Sequence, residues 1–168
     1  LMVATEGNVG AAADYIGLGE PTVRMHPYIH SFSQAHNTIN LLRAARNLED
    51  SLHINMSNQL MLLGYSQGGH AAMATHRYIQ EEYSDEFTVT ASAPMSGPYD
   101  VVGEQAKVLV STDPYPTPGY MPYVILSYLQ MYPDLFQDFE LDDIFVSPYD
   151  TLMPQLFYGH NNGMGFIN

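Results

Sequence analysis

The chain contains no cysteine, so disulfides and thiolate metal sites are excluded, while the cellular compartment stays open. Basic residues are scarce: five lysines and arginines face eighteen acids, for a net charge of -13. After Lys107 seven acids follow and no base. Such a surface repels phosphate backbones and anionic head groups, which argues against nucleic acid as a partner and favours a neutral substrate or solubility in salty surroundings. No apolar run is long enough to span a bilayer. The opening residues LMVATEG show neither a basic n-region nor an apolar h-region, so no targeting segment is visible. What is present suffices for one domain with a core: 168 residues, 46% of them apolar.

The most informative stretch is LLGYSQGGHAAM, residues 62–73. Residues 59–65 read as a short apolar strand buried on both faces of a parallel sheet, and residues 67–83 as a helix. A strand that turns directly into a helix forces its central residue into strained backbone geometry, and Gly64 and Gly68 leave room for neighbouring backbone around Ser66. This is the Gly-x-Ser-x-Gly nucleophile elbow. It raises the Ser66 hydroxyl at the carboxyl edge of the sheet and points the first helical amides, led by Gln67 N–H, at developing negative charge. The bland alternative is a glycine-rich turn with an N-capping serine.

Around the elbow, residues 8–16 (NVGAAADYI) read as a small-residue strand that ends at the Gly17-Leu18-Gly19 turn. That glycine pair is no dinucleotide fingerprint, because no third glycine or helix follows at the required spacing. Phe32, Ala35, Ile39, Leu42 and Ala45 recur at helical steps, which predicts an amphipathic helix over residues 31–48 with Ser31 as its N-cap. Residues 87–93 (FTVTASA) predict the next strand. The alternation implies an α/β fold with a parallel sheet and right-handed crossovers. From Pro94 to Pro154 the chain holds nine of its eleven prolines, and the last 61 residues hold twelve of its twenty aromatics. A helix over residues 123–132 and one or two further short helices are expected there. Residues 1–107 thus form a partial core and residues 108–168 a Pro/Tyr-rich helical cap, or equally the core of a small helical subdomain.

A serine nucleophile needs a base and a carboxylate to orient it, following in the order serine, acid, histidine. Three histidines follow Ser66. His70 lies one turn inside the elbow helix, a position that leaves its ring beside or beneath the serine, so a structural role is favoured. His76 faces elsewhere and reads as a surface residue. His160, in the FYGHNNG loop, is the candidate base with Asp150 as its acid, although no strand-like run separates the two. His26, His30 and His36 lack an accompanying acidic or cysteine cluster, so loop packing or cleft lining suits them better than zinc. No cofactor is implied.

The run ADYIGLGE, HPYIHSFSQAHNTINLLRAAR, QLMLLGYSQGGHAAMATHRYIQEEY and FTVTASAPMSGPYD resembles the bacterial secretory lipase and esterase branch of the α/β-hydrolase superfamily. The likeness spans residues 12–101 and continues weakly through the cap. It implies a serine carboxylester hydrolase with an acyl-enzyme intermediate, with Ser66 as nucleophile, Gln67 as the oxyanion amide and a small ester or lipid as substrate. It also suggests a secreted or periplasmic protein. Family members have strands before residue 8, with the loop that gives a second oxyanion amide, and strands after the cap that bring the acid and histidine. The chain therefore reads as an internal portion of a larger hydrolase or a shortened relative. Exposed sheet edges would then predict a homodimer or strand-swapped assembly, in which a partner could lend a histidine. The rival activities are a peptidase of the same fold, which also suits Gly64 to Gly69, and a non-catalytic binding module that keeps the elbow as scaffold.

Overall fold

The computed structural model describes Ala4, residues 7–19 and residues 25–157, and the chain packs as two compact units. The first contains the chain up to Tyr15 together with Ser31–Gly97. Its frame is α1 (Ser31–Leu52), β1 (Leu60–Tyr65), α2 (Gln67–Glu82) and β2 (Val89–Met95). The two strands are parallel, in register from Met61 opposite Ala91 to Tyr65 opposite Met95. Parallel neighbours cannot be joined by a tight hairpin, so α2 serves as the crossover.

Apolar residues at helical spacing on α1 and α2 meet alternate residues of β1. Ile39, Leu62, Ala72, Ile79 and Phe87 form the buried cluster, with Leu42, Leu60, Tyr78, Tyr83 and Val89 packed against it. At its rim Arg43 grips Glu86 through two hydrogen bonds of 2.8 and 2.6 Å. The Arg46 guanidinium lies 4.1 Å from the centre of the Phe87 ring. Exposed ion pairs of this kind contribute at most about 1 kcal/mol, so the apolar cluster dominates.

Two expectations fail here. Residues 8–15 form no strand. Asn8, Gly10, Asp14 and the three intervening alanines have poor strand propensity and little side chain to pack on a sheet. Nor is β1 buried on both faces: Leu62 is buried, whereas Met61, Leu63 and Tyr65 are 53%, 55% and 70% exposed. Alternation along the strand sends these three to the face that α1 and α2 do not cover.

Element limits otherwise shift by a few residues. The first helix runs to Leu52 instead of residue 48, β2 covers Val89–Met95 instead of 87–93, and the helix expected at 123–132 is Tyr120–Met131. Ser31 is the first residue of α1, and its hydroxyl lies 3.3 Å from His70 Nε2.

The second unit contains Ile16–His30 and the chain from Pro98 onward. The Asp100 carboxylate accepts hydrogen bonds from Gly103 N–H and Glu104 N–H at 2.9 and 3.3 Å, starting a π-helical turn, Val101–Gln105. Then follow α3 (Ala106–Leu109), α4 (Tyr120–Met131), α5 (Leu141–Ile144) and α6 (Tyr149–Phe157). Met25, Tyr28, Ile29, Tyr123, Leu126 and Phe157 make its core. Near-parallel rings run through it, with Tyr28 on Tyr123 and Tyr123 on Phe157, both at 4.5 Å between centroids. Burial pushes the Tyr123 phenol up to about 12 and raises Tyr28 as well.

Among the described residues no helix is long and apolar enough to cross a membrane. Replacing Ile39 by alanine in the first unit should lower the unfolding free energy by roughly 2–5 kcal/mol. Ile54→Ala, at a half-exposed site, should change it by about 0.5 kcal/mol or less. Urea titrations of the two variants test this.

Candidate active site

β1 ends at Tyr65 and α2 begins at Gln67, leaving Ser66 alone to make the reversal. Its backbone sits at φ 56°, ψ -119°, a region that an L residue enters only under constraint, at a cost of about 1–3 kcal/mol. The constraint is visible on both sides. Ser66 N–H donates to the Met95 carbonyl at 3.0 Å, tying the turn to the end of β2, and the Ser66 carbonyl accepts from His70 N–H at 3.1 Å, starting the helix.

The glycines make these approaches possible, though with different weights. A Cβ on Gly64 would collide with the Gly68 carbonyl, and one on Gly69 with the Met95 carbonyl. Gly68 itself has open space around its missing Cβ. The expectation that Gly68 gives way to a neighbour is therefore corrected: Gly64 and Gly69 take the close contacts. The signal for Gly69 was the glycine doublet at 68 and 69, which a one-glycine motif does not require.

Ser66 occupies the N-cap position of α2, yet its side chain makes no capping hydrogen bond. A hydroxyl raised at a strand's carboxyl end, beside first-turn amides that have no intrahelical acceptor, is suited to nucleophilic attack. Gln67 N–H is the first of those amides.

The histidines divide by surroundings. His70 is buried, with Nδ1 2.7 Å from Gln34 Oε1 and Nε2 3.3 Å from Ser31 Oγ. Neither Gln34 nor Ser31 stood out in the sequence as a partner for it, because each lies more than 35 residues away and no spacing rule links them. His76 is half-buried and bonded to Ser92 Oγ at 2.9 Å, not the free surface residue expected. His36 bridges the Phe32 carbonyl and the Tyr83 hydroxyl, both at 2.9 Å.

In the second unit His26 Nδ1 is 2.8 Å from the Ile16 carbonyl and His30 Nε2 is 3.0 Å from the Tyr132 hydroxyl. Burial lowers the pKa of both rings, and the Ile16 contact partly opposes this at His26. Asp150 lies in the first turn of α6, with a buried Oδ1 that has no hydrogen-bond partner. His160 lies outside the described residues. Among those residues no group of three or more histidines and acids could hold a metal ion.

Residues 3–143 match the secretory lipase family. Among solved structures, a candidate hydrolase from Legionella pneumophila is similar at 33% identity and a TM-score of 0.77, over 92% of this chain and 41% of that one. The rice cell wall degrading esterase LipA from Xanthomonas oryzae is 38% identical, with a TM-score of 0.73, over 86% of this chain and 38% of its own. This chain therefore spans about two fifths of the length of these relatives. No curated protein matches it.

Gly69→Ala and Gly64→Ala should each destabilise the chain by about 1–3 kcal/mol through overpacking, while Gly68→Ala should be neutral or slightly stabilising. Denaturant midpoints of the three variants decide this. A second expectation concerns pH. Unfolded His26 and His30 take up protons near their ordinary pKa, whereas the folded rings, lowered by burial, do so only at lower pH. Their contribution is complete above about pH 6.5 and lost as pH falls through the folded values. The tyrosine near-ultraviolet dichroism of the chain should accordingly melt at lower temperature at pH 5 than at pH 7, and His26→Gln should reduce that difference.

Proposed function

The chain belongs to the secretory lipase family, within the α/β-hydrolase superfamily, and on that premise we propose that it carries the nucleophile-bearing core of a serine carboxylester hydrolase. One observation carries the reading: Ser66 is held at positive φ between a strand and a helix without spending its hydroxyl on a cap. A serine kept only for capping would adopt extended backbone and bond a first-turn amide.

In this reading Ser66 Oγ attacks the ester carbonyl carbon while a histidine takes its proton. The oxyanion is stabilised by Gln67 N–H, and the C–O bond to the alcohol then breaks as the histidine returns the proton to the leaving oxygen. Water, deprotonated by the same base, hydrolyses the acyl-enzyme and restores Ser66. His160, oriented by Asp150, is the candidate base from this chain, and a second copy of the chain is the alternative donor. Residues 108–168 are assigned to a cap whose aromatic, uncharged residues suit an acyl chain. The acidic balance suits a neutral ester or lipid, and the family's secretory character favours export.

A homodimer is part of the proposal, because Met61, Leu63 and Tyr65 leave an apolar strand face open. In a second reading the elbow is kept as scaffold in a non-catalytic binding module. A peptidase of the same fold is a third.

Hydrolysis of p-nitrophenyl butyrate by the purified chain separates these. The proposal expects turnover that falls by roughly a thousandfold or more in Ser66→Ala. Equal rates in both proteins, or none in either, would support the inert scaffold. Cleavage of an aminoacyl amide without cleavage of the ester would favour the peptidase.

A further inference from the structure

A polar chain runs through the interior of the first unit, next to the elbow. Gln34 is 0% exposed and His70 8% exposed, and the carboxamide oxygen of Gln34 lies 2.7 Å from His70 Nδ1. On the other side of the ring, Nε2 lies 3.3 Å from Ser31 Oγ. An amide oxygen only accepts, so this contact requires a proton on Nδ1. The neutral ring then offers the Nε2 lone pair to the Ser31 hydroxyl, which donates. Ser31 and Gln34 are three residues apart on the first turn of α1 and so share one face.

His70 is also the residue whose N–H closes the first bond of α2 onto the Ser66 carbonyl. The residue that carries the ring is thus bonded directly to the backbone of the strained serine. We propose that Gln34 and Ser31 hold His70 as a neutral Nδ1–H tautomer and that this relay positions the nucleophile elbow. The inference rests on the ester-hydrolase reading of Ser66 and extends it: His70 is a positioning residue, with both ring nitrogens committed to α1, and is not the general base.

Apolar packing alone would hold two helices together, but it would not select one ring orientation. With Gln34 Oε1 toward the ring, one tautomer satisfies both ring nitrogens while the buried Gln34 Nε2 has no hydrogen-bond partner among the described residues, and loss of either ring partner leaves a desolvated polar atom behind. Met, close in volume to Gln, removes the acceptor at position 34, while Glu retains one. That pair separates positioning from filling.

The experiment uses the full chain as wild type, Gln34→Met and Gln34→Glu, with three readouts. The ring nitrogen resonances of His70 report its tautomer, amide exchange reports Ser66 and His70 relative to Ile79 near the far end of α2, and the rate of fluorophosphonate labelling reports Ser66. The expected result is a wild-type ring protonated at Nδ1. In Gln34→Met the protons should redistribute between the ring nitrogens, the Ser66 and His70 amides should exchange about tenfold faster with Ile79 unchanged, and labelling should slow about tenfold, equivalent to about 1.4 kcal/mol. Gln34→Glu should restore both rates to within about threefold of wild type.

Should Gln34→Met not fold, Ser31→Ala carries the same readouts from the other end of the relay. The proposal is overturned if the wild-type ring is protonated at Nε2 alone. It is equally overturned if elbow exchange is unchanged, or rises together with Ile79, or if Glu fails to rescue. Wild-type protein that resists the fluorophosphonate defeats the ester-hydrolase reading only, and the ring and amide signals then decide the relay.

Discussion

Ser66 is held at φ 56° by its N–H on the Met95 carbonyl and its own carbonyl on His70 N–H, and most of the first unit can be understood as what makes that conformation possible. The parallel pairing of β1 and β2 brings Met95 opposite Tyr65, which puts the acceptor carbonyl within reach. Glycine at 64 and 69 lets the helix start close against both strand ends. The cluster around Ile39, Leu62 and Ile79 supplies the burial that outweighs the backbone strain. Local strain and global packing are thus coupled, as the proposed nucleophile role of Ser66 requires.

The sheet is built for more than it carries here. Among the described residues, two strands with an open face lined by Met61, Leu63 and Tyr65 are a small base for a strained turn, since short isolated sheets are marginal and open edges invite pairing. The second unit has its own core of stacked rings and buried histidines. Scarcity of basic residues leaves both units acidic, which limits the partners each can attract by charge.

Much of this was legible in the sequence because the signals were local. An apolar run closing on GYSQGG, followed by alanine-rich helical spacing, led to β1, the elbow and α2. The period of Phe32, Ala35, Ile39 and Leu42 led to α1. Residues 8–16 misled because alanine and glycine runs look apolar without favouring a strand. The exposure of Met61, Leu63 and Tyr65 was illegible, since a strand's own sequence does not say whether its second face is covered. The Gln34–His70–Ser31 relay was also out of reach: it joins two helices through tertiary packing, and only the placement of His70 beneath the elbow hinted that its ring had a structural partner. Asp150 was found on a helix, while its intended partner His160 lies outside the described residues, so that pairing stays a proposal.

The central claim is that Ser66 is strained in order to be displayed. The most direct measurement is the unfolding free energy of Ser66→Gly beside Ser66→Ala in denaturant. Glycine accepts positive φ without a Cβ penalty, so the account predicts that Ser66→Gly is the more stable of the two by about 1 kcal/mol, despite glycine's greater entropy in the unfolded chain. If Ser66→Gly were instead equal to or less stable than Ser66→Ala, the serine would be sitting in an unstrained turn, and the elbow reading would be contradicted.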